Sequence, residues 1–138
     1  MDEDQTHQAG VLNDGARELL DGKNFAIVAT LNPDGSPQTS VVWVDRDGDT
    51  MVFSTTAGRL KARNLSRDSR VSATIFAAEN PYRYLEIRGN ATLVKDEGRV
   101  FVHHISQKYR GGPPPPEADD IVRLVVRVTP TKIVEFAV

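Results

Sequence analysis

Short β-rich runs, each closed by turn residues, constrain the fold of this chain more than any other feature. Residues 25–31 (FAIVATL) are apolar and rich in side chains that favour strands, and residues 32–35 (NPDG) place Pro and Gly as a type I turn does. A return strand is expected at 38–44, and the Asp- and Gly-rich segment 45–49 leads into a third strand at 50–55. This succession predicts an antiparallel meander.

Strand signals resume in the second half of the chain. We expect strands at 71–77, 82–94, 121–128 and 132–136, and the length of the second favours a bend at Gly89. A bent strand helps a sheet to close into a barrel.

Three short helices are expected between these strands. The first is capped by Asn13 and ends at Gly22, and the others cover 58–65 and 96–108. Residues 111–116 (GGPPPP) predict a surface loop, because consecutive prolines fix φ and donate no amide hydrogen.

Six or seven strands, short helices and no βαβ alternation predict a mostly β fold, a six- to seven-stranded antiparallel β-barrel. A length of 138 residues fits one domain with one core. We expect residues 1–12 to form a flexible N-terminal arm and residues 13–138 to form the single domain.

Composition excludes several classes of function. The chain has no cysteine, which rules out disulfides and thiolate chemistry and fits a reducing cytoplasm. A formal net charge of −2 favours neither nucleic acid nor an anionic membrane as partner. The acidic, polar N-terminus is unlike a signal peptide, and no run approaches the roughly 20 apolar residues of a membrane span, so we expect a cytoplasmic protein.

Common catalytic motifs are absent from the sequence, among them GxGxxG, GxxxxGK[ST], GxSxG and HExxH. His7 falls in the expected arm, and His103 and His104 are neighbours on a helix, where their side chains diverge by about 100° and do not readily share a metal. We therefore expect no metal site.

The segment 54–64 (STTAGRLKARN) combines hydroxyls at a strand end with cations at the start of a helix. Such a junction suits a phosphate, because helix N-terminal amides and the helix dipole favour an anion. Arg59 would add a planar guanidinium and Lys61 a point charge. The alternative interpretation is an ordinary solvated basic surface.

Strand 38–44 has one polar face, which carries Gln38 and Ser40 and is suited to the edge of a heterocycle. Its other face carries Trp43, and Tyr82 and Tyr84 share a face of a later strand. These aromatic side chains either border a ring pocket or simply pack.

Taken in order, residues 25–44, residues 53–72 (FSTTAGRLKARNLSRDSRVS) and residues 80–89 (NPYRYLEIRG) resemble the pyridoxamine-phosphate-oxidase-like split-barrel superfamily, and within it the deazaflavin-dependent branch that uses coenzyme F₄₂₀. The resemblance extends from residue 13 to the C-terminus. It implies an FMN-binding-like split barrel that forms a homodimer with two cofactor clefts at the subunit interface.

Carried over by position, the resemblance implies a set of cofactor-binding residues. The cofactor phosphate would be held by Ser54, Thr55, Arg59, Lys61 and Asn64. Gln38 and Ser40 would lie along the ring system, and Tyr82 and Arg83 would come from the partner subunit. The acceptor pocket would include Trp43 and the segment from Lys108 to Pro116, where mobility would admit a bulky acceptor. Because the chain lacks the C-terminal extension of true pyridoxamine-phosphate oxidases, we do not expect oxidation of the vitamin.

The function implied is a reductase that uses reduced coenzyme F₄₂₀ to transfer a hydride to an electron-poor small molecule. The protein would mainly position the reactants, which accounts for the missing catalytic motifs. Two alternatives remain open at this stage: an FMN-dependent oxidase or reductase, and a non-enzymatic flavin- or tetrapyrrole-binding protein. FMN and F₄₂₀ share a ribityl phosphate, so the basic segment does not choose between them.

Overall fold

The computed structural model describes residues 5–7 and 11–137. Its strands and helices follow one another in this order: β1 (Gln5–His7), α1 (Asp14–Asp21), β2 (Phe25–Leu31), β3 (Pro37–Trp43), β4 (Asp45–Asp47), β5 (Thr50–Thr56), α2 (Leu60–Arg67), β6 (Arg70–Ala77), β7 (Asn80–Lys95), a 3-10 turn (Glu97–Arg99), α3 (Val100–Arg110) and β8 (Arg123–Phe136).

All the strands belong to one antiparallel sheet. Seven of them follow the order β3-β2-β6-β7-β8-β5-β4, and β1 pairs with β8 beside this path. The sheet curls back on itself, since the end strand β3 contacts β5 near the other end of the path, although these two strands do not pair. The sheet is therefore a split barrel, as the sequence predicts, and the split runs between β3 and β5.

The barrel is filled by the inward side chains of the long strands, and α1 closes one side. Asn13 caps this helix as expected, because its Oδ1 accepts a hydrogen bond of 2.9 Å from Ala16 N, and the helix ends at Gly22. Its apolar face, which includes Leu19 and Leu20, is buried. The largest fully buried side chains are Phe53, Leu12, Leu20, Met51, Ile75, Leu85, Ile87 and Ile133.

The predicted bend at Gly89 is confirmed. The pairing of β7 with β8 shifts register between Arg88 and Gly89. A Cβ at position 89 would lie 2.1 Å from the carbonyl oxygen of Thr129, so only glycine permits this approach.

The prediction of two separate strands at 121–128 and 132–136 is wrong. One strand, β8, runs through Pro130, which lies opposite Gly89 at the register shift. A proline is tolerated at such an irregularity because the ladder there lacks a regular hydrogen bond for it to break. Segment 45–49, expected as a turn, likewise includes the three-residue strand β4.

Two described parts of the expected arm, residues 1–12, belong to the domain. The backbone of Gln5–His7 pairs with β8, and Leu12 is buried in the core. Residues 1–4 and 8–10 lie outside the described residues. Within the described ranges, no helix is both long and apolar enough to cross a membrane.

Candidate functional site

A cleft of about 350 Å³ opens at the split of the barrel. Strand β3 forms one side, β5 and the start of α2 form the other, and α3 with the following proline loop covers it. The lining residues are Phe25, Val41, Val42, Trp43, Ser54, Thr55, Arg59, Lys61, Val102, Ile105, Ser106, Arg110, Pro114, Pro115 and Arg123.

Four cations line this cleft and no carboxylate does. Arg59 and Lys61 come from the start of α2, Arg110 from the end of α3 and Arg123 from the start of β8. Neither Arg59 nor Lys61 forms an ion pair within the part of the chain that the structure describes. The lining of the cleft is therefore positively charged, which suits an anionic ligand.

Lys61 is only 7% exposed although it is charged. Burial lowers the pKa of its ammonium from the ordinary 10.5, and the neighbouring Arg59 lowers it further. An anion bound nearby would oppose this lowering of the pKa, because an opposite charge favours the protonated form. Lys61 is thus placed to gain from a bound phosphate.

The end of β5 adds two hydroxyls to the cleft. Thr55 is 2% exposed, and its Oγ1 is buried with no hydrogen-bond partner among the described residues. Ser54 Oγ accepts a hydrogen bond of 3.3 Å from Arg123 Nη1. Since buried hydroxyls are nearly always paired, the unpartnered Thr55 fits a site that a polar ligand completes.

A carboxylate holds Arg123 from behind the cleft. Glu117 accepts hydrogen bonds of 2.9 Å from Arg123 Nε and Nη2, and one of 2.9 Å from Arg99 Nη2. The hydrogen bonds from Arg123 are the main cause that lowers the pKa of Glu117 from its ordinary value, and the nearby positive charges add to it. Glu117 thereby fixes the proline loop to β8, so Pro114 and Pro115 form an anchored wall.

The cleft also has aromatic lining. Trp43 lines it with Phe25, and these residues are paired across β2 and β3. The ring of Tyr109 stacks on Trp43 with centroids 5.2 Å apart and planes 5° from parallel. The cleft therefore combines cationic and aromatic side chains.

The structure brings five of the residues suggested by the sequence into this cleft: Trp43, Ser54, Thr55, Arg59 and Lys61. Of the suggested segment 108–116, Arg110, Pro114 and Pro115 line it. Gln38 and Ser40 lie further along β3 and do not line it. Gln38 Oε1 accepts a hydrogen bond of 3.2 Å from Thr30 Oγ1, whereas the buried Oγ of Ser40 has no partner among the described residues.

Asn64 lies outside the cleft, in contrast to the expectation that it binds phosphate. It is fully buried, and its Nδ2 donates hydrogen bonds of 3.0 Å to Thr30 Oγ1 and to Asn32 Oδ1. Its Oδ1 accepts from Arg67 Nη2 at 3.1 Å. The amide is satisfied within the protein, so the structure gives Asn64 a role in holding α2 against β2.

Lys108 also lies away from the cleft where an acceptor pocket was expected. Its Nζ donates to Leu20 O at 2.8 Å and to Val44 O at 2.7 Å, and it lies 3.7 Å from Asp45. Burial lowers its pKa, while Asp45 opposes that shift. Lys108 is helical and ties α3 to the ends of α1 and β3, so it is not part of a mobile loop.

Tyr82 and Arg83 lie near the start of β7 and do not line the cleft. Tyr82 is 67% exposed, and Arg83 makes an ion pair of 3.6 Å with Glu18. That they contact the cofactor bound to a partner subunit stays a prediction.

The two neighbouring histidines of α3 each lie within hydrogen-bond distance of an oxygen atom of the protein. His104 Nε2 lies 2.7 Å from Asp45 Oδ2, and His103 Nδ1 lies 2.7 Å from Arg99 O. Among the described residues, no three metal-ligating side chains are grouped as a metal site requires.

Two polar lining residues escaped the sequence analysis, namely Ser106 and Arg123. Neither shares a motif with segment 54–64. Only the return of β8 and α3 to the barrel split brings them to the cleft.

Comparison with known families agrees with this architecture. The family model described as pyridoxamine 5'-phosphate oxidase matches residues 12–136. The chain belongs to this family. The match takes in every element that builds the cleft, from β2 to β8.

Solved structures share this split-barrel fold. A protein named F₄₂₀ reductase is 34% identical, with a TM-score of 0.79, and the match covers 88% of this chain and 98% of that one. General stress protein 26 from Bacillus anthracis shares the fold at 14% identity and a TM-score of 0.67, covering 89% and 95%. A pyridoxamine 5'-phosphate oxidase-related, FMN binding protein from Nostoc punctiforme does so at 14% and 0.59, covering 79% and 71%. None of the curated proteins matches significantly.

Proposed function

We propose that the protein is a homodimeric reductase that binds reduced coenzyme F₄₂₀ in the cleft and passes a hydride to an electron-poor small molecule. The observation that carries this proposal is the cleft itself, with four cations, no lining carboxylate and the unpartnered hydroxyl of Thr55. The resemblance to a protein named F₄₂₀ reductase supports the deazaflavin over FMN.

The residues present fit the phosphate of either coenzyme. Thr55 Oγ1 and Ser54 Oγ offer hydroxyl hydrogen bonds, and Arg59 and Lys61 offer charge-assisted ones. The start of α2 adds the positive end of its dipole. We place the phosphate at this end of the cleft, between β5 and α2.

When bound, the reduced deazaflavin supplies a hydride, and the acceptor takes up a proton to complete a two-electron reduction. The described lining residues include no carboxyl, imidazole or phenol group. The protein therefore contributes binding and orientation, and we assign the proton to water. Val41, Val42 and Trp43 give the cleft an apolar wall against which a ring system can pack.

A second copy of the chain is proposed to cover the outer face of β2 and β3. Phe25, Ile27 and Val41 share this face through the register of the two strands and are exposed, and Trp43 stands at its edge beside the cleft. A contiguous exposed apolar patch of this kind is typical of an interaction surface. Because the patch adjoins the cleft, a partner seated on it would complete the cofactor site.

A side-by-side fluorescence titration with F₄₂₀ and FMN, at fixed ionic strength, tests the choice of coenzyme. The proposal expects both to compete for one cleft and F₄₂₀ to bind more tightly. Tight binding of FMN alone, with yellow protein after purification, would favour the flavoprotein alternative. Binding of F₄₂₀ without reduction of any quinone, enone or biliverdin-like acceptor would favour a non-enzymatic binding protein.

A further inference from the structure

Tyr109 is bonded to the backbone on both sides of the aromatic pair that borders the cleft. Its hydroxyl donates to Asn24 O at 2.5 Å and accepts from Val44 N at 3.2 Å. Asn24 precedes Phe25, and Val44 follows Trp43. One phenol therefore fixes the strand ends that present both rings.

The ring of Tyr109 supports Trp43 from one side only. The two rings are nearly parallel at 5.2 Å, and Phe25 tilts against Tyr109 at 6.4 Å. Trp43 lines the cleft, whereas Tyr109 does not. Trp43 remains 36% exposed beside the cleft, so part of its indole stays open to a ligand.

Two further features hold Tyr109 in place, the neighbouring Lys108 and the burial of its hydroxyl. The neighbouring Lys108 Nζ lies 5.2 Å from its ring centroid, and burial raises the pKa of the Tyr109 hydroxyl. The hydroxyl therefore stays protonated and keeps its hydrogen bond to Asn24. A stacked, hydrogen-bonded support of this kind sets the plane of Trp43.

We infer that Tyr109 is a positioning residue that holds Trp43 as a stacking platform for a planar, conjugated acceptor. The inference rests on the proposed function and narrows its acceptor to flat π-systems. Stacked rings gain from offset, nearly parallel geometry, so a platform with a fixed plane selects flat acceptors over small or puckered ones.

The test compares Tyr109→Leu and Tyr109→Phe with a matched control, Phe101→Leu, on the same helix but outside the cleft. With the F₄₂₀-loaded protein, Tyr109→Leu is expected to raise KM for 1,4-naphthoquinone about two- to tenfold, the range for loss of an aromatic pair. The KM for 2-cyclohexenone and both kcat values should stay unchanged. Tyr109→Phe, which keeps the ring, should give a smaller rise, and Phe101→Leu none. Equal rises for both acceptors, or no rise for naphthoquinone, would overturn the inference.

A second measurement needs no turnover. Trp43 is the only tryptophan of the chain, so its emission reports on this site alone. Naphthoquinone should quench it saturably in the wild type, and more weakly in Tyr109→Leu but not in Phe101→Leu. If the protein reduces neither acceptor, the proposed function fails, while the quenching series still decides the role of Tyr109. Quenching that is absent in the wild type, or identical in Tyr109→Leu, would refute the platform.

Discussion

Asn64 Nδ2 lies 3.0 Å from Thr30 Oγ1, and this hydrogen bond joins helix α2 to strand β2 beneath the cleft. Thr30 Oγ1 in turn donates to Gln38 Oε1 on β3. The chain of polar side chains therefore crosses three elements. Two residues that the sequence suggested as cofactor ligands, Gln38 and Asn64, act together here as structural ties.

Replacing Asn64 by Leu is expected to destabilise the fold by roughly 1–3 kcal/mol, because Thr30 and Asn32 lose a buried donor. Urea unfolding measures this loss, and Arg63→Leu on the exposed side of α2 is the control. A normal free energy of unfolding combined with weaker cofactor binding would instead support direct contact between Asn64 and the phosphate.

Removal of the two α2 cations should weaken binding of F₄₂₀. Charge-assisted hydrogen bonds contribute roughly 1.5–3 kcal/mol each, so Arg59→Ala with Lys61→Ala should cost a few kcal/mol of binding free energy. Fluorescence titration gives the Kd. Arg63→Ala keeps the same helix and removes a cation that does not line the cleft, so its Kd should be close to that of the wild type.

Cofactor affinity should begin to fall at a lower pH than it would if Lys61 had the ordinary pKa of a lysine. Burial and Arg59 lower the pKa of Lys61, and the phosphate binds its protonated form. Affinity is therefore complete below this lowered pKa and declines as pH rises through it, before the ordinary 10.5 is reached. Lys61→Arg should shift the decline to higher pH, since arginine stays charged. Identical pH profiles for the two proteins would rule out Lys61 as the titrating group.

Gly89→Ala should lower the melting temperature strongly, because the new Cβ would lie 2.1 Å from Thr129 O. Relieving this overlap requires the backbones of β7 and β8 to separate, at a cost of roughly 1–3 kcal/mol or more. Gly58→Ala is the control, since a Cβ there meets nothing within 4 Å. Equal melting temperatures for the two variants would contradict the close packing at the bend.

The proposed dimer predicts that Ile27→Glu yields monomers, because it buries a charge in the outer face of β2 and β3. Analytical ultracentrifugation measures the change. Val94→Glu, on an exposed apolar position of β7, should leave the association state as it was. The proposal fails if the wild type is itself a monomer at the concentrations where it binds cofactor.

Local patterns in the sequence predict the barrel well. Runs of strand-favouring residues mark β2, β3, β5 and β6, and the Asn13 cap and the Gly89 bend are each determined by one residue's chemistry. The continuity of β8 was missed because Pro130 reads as a break, and only its pairing with the irregular part of β7 makes it tolerable.

The candidate site was predictable where its residues fall in a recognisable segment. Segments 54–64 and 108–116 and Trp43 supply lining residues as suggested, but Ser106 and Arg123 reach the cleft only through the path of the chain in space. Tyr109 was missed because residues near Lys108 were expected to be a loop. The buried positions Val102 and Ile105 continue at helical spacing to Tyr109, and that signal extends α3 past Lys108.

The split between β3 and β5 separates two groups of side chains, those that fill the barrel and those that stand at its opening. Side chains that fill the barrel keep the fold, whereas Arg59 and Arg110 stand at its opening and contribute little to the core. Substitutions at the opening would change what the protein binds at little cost in foldability. Divergence in ligand choice among split barrels of similar backbone is the expected result of this arrangement.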